Sequence, residues 1–327
     1  MKLRRQKDAG RGKGLRMLFA TDLHGSESAF RKFVAARRQV GARVMLLGGD
    51  LTGKILVPVV DEGGVHTADF MGRKLRAADD AALQDLEQTL RFAGQYPVRM
   101  TAADVAWLRQ HPEDLDGRFV DAMKASLRHW FDLAAERLEP EGVRMLAILG
   151  NDDPLEIDDV LRDHPYVECV DDTPVTIEGD IEVVGFSGSN RTPWDSPREF
   201  TEQEIRARLE QSVAKLSDPA RSIWNVHVPP YDTGLDTAAE VTDDLKVVMR
   251  GGQANMISVG STAVRELIEQ YQPMLAVHGH VHESRAVSKV GSAVVVNPGS
   301  EYTEGVLRAA VITVDGERVS AQLMSTL

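Results

Sequence analysis

Leu15-Arg16-Met17-Leu18-Phe19-Ala20-Thr21-Asp22-Leu23-His24-Gly25 is an apolar run that stops on an acid, a histidine and a glycine. The run has the length of a buried strand. Asp22 and His24 are two residues apart, so at a strand end their side chains leave on the same face. One hard oxygen and one imidazole nitrogen on one face begin a divalent-metal site. Asp-x-His also arises by chance, and a solvated strand end is the bland alternative. Recurrence along the chain decides between them.

The pattern returns at Arg43-Val44-Met45-Leu46-Leu47-Gly48-Gly49-Asp50, with Ser26 to Arg38 between the two runs spaced as a helix. Strand, helix, strand, with an acid closing each strand, is a βαβ unit with its chemistry at the carboxyl edge of a sheet. Val143 to Leu149 runs into Gly150-Asn151-Asp152-Asp153, Arg221 to Val226 into His227, and Met274 to Val277 into His278-Gly279-His280-Val281-His282. Five strand ends thus carry Asp22/His24, Asp50, Asn151, His227 and His280/His282. Five coincidences are too many for chance. His66, His111, His129 and His164 sit alone in helical or loop contexts, where a structural role is the default.

The ligand inventory fits two metals sharing one carboxylate. Asp50 bridges; Asp22, His24 and His282 complete one ion, and Asn151, His227 and His280 the other. A mixed oxygen and nitrogen set without thiolates suits Mn first, with Fe, Zn or Ni as alternatives, and disfavours a pure Ca or Mg cage. Such a pair serves in-line displacement at phosphorus.

Composition sets the outer bounds. The 327 residues are 43% hydrophobic and 27% charged, ordinary for a globular chain. A net charge of −12 argues against a general nucleic-acid or membrane-surface binder. Cys169 is the sole cysteine, which excludes an internal disulfide and a thiolate cluster. No apolar run has the length of a membrane span. The expectation is a soluble, cytoplasmic protein. Residues 1–14, rich in Lys, Arg and Gly, read as a flexible basic tail before a single domain over 15–327.

Within that domain, Lys54 to Val60 and Val65 to Phe70 read as a hairpin around Glu62-Gly63-Gly64. Ala78 to Phe92, Ala102 to Arg109 and Phe119 to Leu138 read as helices, with Tyr96-Pro97 separating the first two. The stretch from Asp50 to Asn151 is far longer than one helical connection needs. An insert over 61–118, taken as helical, is expected to be a cap, an oligomer contact or a partner surface. Tyr231 to Gly260 reads as a long connection at the mouth of the site. Ser187, Asn190 and Arg191 lie in a Gly-rich loop that either reaches the substrate or makes a plain surface turn.

Asp22-x-His24, Gly49-Asp50, Gly150-Asn151, His227 and Gly279-His280-x-His282, in that order, resemble the calcineurin-like metallophosphoesterases. Gly48-Gly49-Asp50-Leu51-Thr52-Gly53-Lys54 and Asn297-Pro298-Gly299-Ser300-Glu301 resemble their Icc-related branch. The resemblance covers nearly all the chain outside 61–118. It implies an α/β layered fold, a two-sheet β-sandwich flanked by helices with a dinuclear site at the sheet edge. It also implies hydrolysis of phosphomonoesters or phosphodiesters, and the same seven ligands. Where much of the family has Gly-Asn-His, with a histidine that contacts phosphate and protonates the leaving oxygen, this chain has Gly150-Asn151-Asp152. Asp152 replaces it poorly unless burial or Asp153 raises its pKa. Asp153 is the candidate to orient a proton donor, and His278 an alternative proton source.

The expected function is metal-dependent hydrolysis of a small phosphoester, phosphodiesters ahead of monoesters, by hydroxide held at the metals. The competing expectation is a catalytically weak metal-binding scaffold that serves a partner through the insert. A nuclease would want a basic track, which the acid excess does not supply.

Overall fold

The computed structural model describes residues 14–242 and 244–326. The basic tail expected over 1–14 lies outside the described residues apart from Gly14.

Two six-stranded sheets face each other. Edge to edge, the first runs Arg318–Thr326, Leu307–Asp315, Leu15–Ala20, Val44–Gly48, Arg144–Ile148 and Val167–Cys169. The second runs Ala286–Val290, Ala293–Asn297, Leu275–Val277, Ser222–Val226, Glu182–Phe186 and Val175–Thr176. The centre of each sheet is parallel; antiparallel strands close both edges of the second sheet and one edge of the first, whose other edge, Val167–Cys169, pairs in parallel. Strands buried on both faces need continuous apolar sequence. Val44–Gly48 and Ser222–Val226 are accordingly buried at every position.

Met17, Phe19, Leu46, Leu146 and Ile148 of the first sheet meet Val183, Ile223, Leu275, Val277 and Val296 of the second in the inter-sheet core. On the first sheet's outer face lie the helices Glu27–Val40 and Pro112–Leu138, joined by Phe30 stacked on Trp130 with centroids 4.6 Å apart. Glu202–Val213 and Thr262–Tyr271 cover the second sheet through Ile205, Leu209, Leu267 and Ile268. The molecule is therefore layered helix, sheet, sheet, helix, as the family resemblance implied.

The insert differs from expectation. It is not helical as a whole: a four-stranded sheet runs Arg73–Ala77, His66–Phe70, Ile55–Asp61 and Gln95–Thr101, backed by the helix Asp80–Phe92. Val57, Val59, Leu83, Leu86 and Leu90 give it a small core of its own. The boundaries 61–118 cut through Ile55–Asp61 at one end and through Pro112–Leu138 at the other. That last helix starts at Pro112, seven residues before the expected Phe119. Proline at the first helical position and Glu113 and Asp114 in the first turn explain the early start. Tyr96-Pro97, expected to separate helices, lies inside the strand Gln95–Thr101. The 231–260 connection carries two short antiparallel ladders, Thr237–Ala239 with Met256–Ser258 and Met249–Arg250 with Gln253–Ala254.

Candidate metal centre

All five strand ends fall at the carboxyl edge of the parallel strands. The loops after Leu15–Ala20 and Val44–Gly48 extend the ladder past the strands, with Asp22 N, His24 N and Gly25 N donating to Gly49 O, Asp50 O and Leu51 O at 2.8–2.9 Å. On the other sheet, Gly279 N donates to His227 O at 2.9 Å. The backbone then turns sharply. Asp22, His24, Asp50 and His280 take positive φ of 54°, 41°, 49° and 67°. Non-glycine residues are strained there and keep such angles where surrounding contacts over-determine them, often at functional sites. Two glycines are required by close approach: a Cβ on Gly150 would lie 2.0 Å from Asp50 Oδ1, and one on Gly279 2.4 Å from Asp22 Oδ2.

The seven expected ligands converge. Asp22, His24, Asp50 and His282 each offer an atom within 4.8 Å of the others. His24 Nε2 lies 3.1 Å from His282 Nε2 and 3.6 Å from Asp50 Oδ2, and His282 Nε2 lies 3.4 Å from Asp22 Oδ1. Alongside, Asn151 Oδ1 sits 3.0 Å from His227 Nε2 and 2.7 Å from His280 Nδ1, with Asp50 Oδ2 3.4 Å from His227 Nε2. His227 Nδ1–H donates to Gly48 O at 2.7 Å, which points Nε2 inward. Asp50 thus touches a histidine of each group. Asp22, His24, Asp50, Asn151 and His227 are all buried.

These donors suit a cation. Buried imidazole nitrogens and carboxylate oxygens facing one another repel unless a proton or a cation lies between them. In the metal-free protein protons take that place. Burial opposes charge on His227, but Asp50 and Asp22 outweigh it and raise its pKa to about 10. His282 is likewise raised against burial by its bond to Asp22. Burial, helped by His282, lowers His24 to about 3, and burial, helped by His227, lowers His280 to about 3, leaving both neutral. His24 Nδ1 is buried with no hydrogen-bond partner among the described residues.

The outer supports are visible as well. Asn151 Nδ2 donates to Ser196 Oγ at 2.8 Å, and Ser196 Oγ to Glu199 Oε1 at 2.6 Å, so the amide oxygen faces the histidines. Asn297 Nδ2 reaches Leu235 O, Gly279 O and Val281 O, and Ser300 Oγ donates to Asp22 O, so the Asn297-Pro298-Gly299-Ser300 turn braces the His280 loop. Tyr302 lies over His24 with ring centroids 4.6 Å apart. Ser196, Glu199 and Tyr302 carried no sequence signal that singled them out.

The three expected catalytic groups fare differently. Asp152 pairs with Lys54 at the rim of the site. Burial would raise its pKa, but the Lys54 bond and charge prevail and hold it below the usual carboxylate range, so near neutrality it has no proton to give. Asp153 is completely buried and accepts from Leu51 N, Thr52 N, Thr52 Oγ1 and Gly150 N. It orients no acid. His278 turns Nδ1 to Val226 O at 2.9 Å and Val228 O at 3.0 Å. Its ring braces backbone. In the Gly-rich loop, Ser187 Oγ accepts from Leu149 N and Asn190 Nδ2 donates to Val259 O, whereas Arg191 is exposed and lies 3.9 Å from the exposed Asp195.

No family model matches the chain. The uncharacterized protein MJ1162 of Methanocaldococcus jannaschii is 35% identical over 159 residues, 48% of this chain. The chain spans 64% of the length of that curated relative. Among solved structures, TT1561 of Thermus thermophilus superposes with a TM-score of 0.54 at 16% identity, covering 95% of this chain and 99% of that one. Looser likenesses include a dimetal phosphatase from Danio rerio (TM-score 0.43, 10% identity, 95% and 98% covered). Another is an archaeal phosphodiesterase (0.37, 11%, 95% and 100%). At these identities the likeness is one of fold, and the last two are too loose to add to it. No helix among the described residues is long and apolar enough to cross a membrane.

Proposed function

We propose that this chain, whose architecture is that of the calcineurin-like metallophosphoesterases, is a metal-dependent hydrolase of small phosphoesters, diesters ahead of monoesters. One observation carries the reading: two buried carboxylates, four histidines and an asparagine from five strand ends point at one space. A pair of divalent ions held there, Mn first, would polarise a phosphoryl group and acidify water.

The chain's own residues supply the rest. Asp22, His24 and His282 would hold one ion, Asn151, His227 and His280 the other, and Asp50 both. The Gly48 carbonyl fixes the His227 tautomer, and Ser196 with Glu199 fixes the Asn151 amide. Tyr302 packs over the His24 ring. No protein acid stands at Asp152, so rate should depend steeply on the leaving group.

Purified protein is assayed on bis(p-nitrophenyl) phosphate after chelation and after Mn is restored. Hydrolysis that vanishes with chelation, returns with Mn and is lost in Asp50→Asn supports the reading; a fully metal-loaded protein that cleaves no phosphoester removes it. The second reading, a metal-binding scaffold with little catalysis, is favoured by the ionised Asp152. Retained metal without turnover is its signature.

A further inference from the structure

Lys54 closes the Gly48–Lys54 run, four residues after Asp50, and its place is fixed from behind. Gly53 N donates to Tyr96 Oη at 2.7 Å, and Tyr96 is a buried residue of the insert. A Cβ on Gly53 would lie 2.2 Å from Gly94 O, so the insert is packed directly under this turn. The Lys54 side chain is 52% exposed, and its ammonium pairs with Asp152 Oδ2. Among the described residues it is the one Lys or Arg in an ion pair with Asp22, Asp50, Asp152 or Asp153.

Asp152 is tied to the cluster itself. Its backbone N–H donates to Asp50 Oδ1 at 2.9 Å, and its Oδ1 accepts from Asn151 Nδ2 at 3.1 Å. A cation and an anion therefore stand together on the rim, the anion next in sequence to Asn151 and bonded to Asp50, and their charges cancel. An ammonium has three donors, and a carboxylate has none to offer an anion.

We propose, building on the hydrolase reading, that Lys54 receives a phosphoryl oxygen of the substrate and that Asp152 is a built-in counter-anion selecting singly charged phosphodiesters against doubly charged monoesters and inorganic phosphate. A diester brings one negative charge and one exposed edge of oxygens, which a spare Lys54 donor satisfies while Asp152 stays paired. A dianion brings its second charge against the Asp152 carboxylate in a partly dry site, where like charges repel more strongly than in water. Specificity here comes from the repulsive group as much as from the attractive one.

The test uses metal-loaded protein with metal content checked by elemental analysis. Inorganic phosphate is titrated calorimetrically into the wild type, Asp152→Asn, Lys54→Met, Lys54→Arg and the Lys54→Met/Asp152→Asn double variant. In parallel, kcat/KM is measured on p-nitrophenyl phosphate and bis(p-nitrophenyl) phosphate. Asp152→Asn should bind phosphate at least tenfold tighter and shift the monoester-to-diester ratio at least tenfold toward the monoester. Lys54→Met should raise KM for the diester about tenfold with a smaller change in kcat, and Lys54→Arg should restore most of it. In the double variant the share that acts through the freed ammonium should be lost while the relief of repulsion remains, so its phosphate affinity should fall between those of Lys54→Met and Asp152→Asn.

Equal phosphate affinity in wild type and Asp152→Asn, or a double variant that binds phosphate no more tightly than Lys54→Met, overturns the proposal. If Asp152→Asn loses metal, Lys54→Met against Lys54→Arg decides, and unchanged phosphate affinity in both overturns it. Absence of turnover on either ester would count against the hydrolase reading alone, since the phosphate titration still reads the Lys54–Asp152 pair.

Discussion

Asp153 grips Thr52 twice through one oxygen: Oδ1 accepts from the Thr52 amide at 2.9 Å and from its hydroxyl at 2.7 Å. Oδ2 takes Leu51 N at 3.1 Å and Gly150 N at 2.8 Å. One buried carboxylate thereby locks the Asp50 loop to the Asn151 loop, 101 positions later in the chain, and spaces residues of both proposed ligand groups. Removing it would strand several buried donors at once. Asp153→Ala should cost about 3 kcal/mol or more of stability, with Asp153→Asn recovering part. Denaturant midpoints at unchanged m-value check this; a loss under about 1 kcal/mol would show that the loops are held elsewhere.

Asp50 reaches His24 at 3.6 Å and His227 at 3.4 Å, one from each group. Asp22 leans on His282 at 3.4 Å, with His227 farther off at 4.0 Å. Asp50→Asn should therefore lose more metal and more activity than Asp22→Asn. Elemental analysis of both variants compares them, and near-full occupancy in Asp50→Asn would end the bridging assignment.

A metal that binds here must displace protons. In the metal-free protein His227, with its pKa raised to about 10, is charged at pH 7, and His282 is shifted in the same direction. A ligand that is protonated below its raised pKa competes with metal there, so apparent affinity should climb as pH rises from about 6 toward about 9. Loading near pH 7 should release between about one and two protons per chain. Calorimetry in buffers of different ionisation enthalpy counts them. A pH-independent affinity with no proton release would show that the histidines are already neutral.

Ser196 touches no expected metal position, yet it holds Asn151 Nδ2 at 2.8 Å and is itself held by Glu199. Supports of this kind typically govern ligand orientation at a cost of about 10–100-fold in metal affinity when removed. Ser196→Ala should weaken metal binding within that range while the fold persists, and Ser196→Thr should restore much of it. Competition with a chromogenic chelator gives the affinities. Wild-type affinity in Ser196→Ala would mean that the amide is oriented by its histidine partners alone.

Much of the architecture was readable in the sequence because the ligand-bearing strands are buried on both faces. Leu15–Ala20, Val44–Gly48 and Arg144–Ile148 are apolar runs with a ligand residue at or just past each end, and burial demands that pattern. The insert's sheet lacked such a signature. Arg73–Ala77 is mostly exposed and polar, and Gln95–Thr101 contains Pro97. That strand sits at the edge of its sheet and pairs only with Ile55–Asp61, so a missing N–H is tolerated on its open side. A proline that reads locally as a break is, in place, an edge residue.

The sequence alone determined which residue types end the buried strands, because strand burial and ligand chemistry are both written in local order. The tertiary structure decided what the remaining groups near the site do. Asp152 and Asp153 are chemically identical neighbours, yet one lies on the rim against Lys54 and the other is buried beneath Thr52. Lys54 stands 98 positions before Asp152, and no local pattern records which distant charge a carboxylate will meet. A carboxylate's role follows from its partners and its burial, and those exist only once the two loops are packed together.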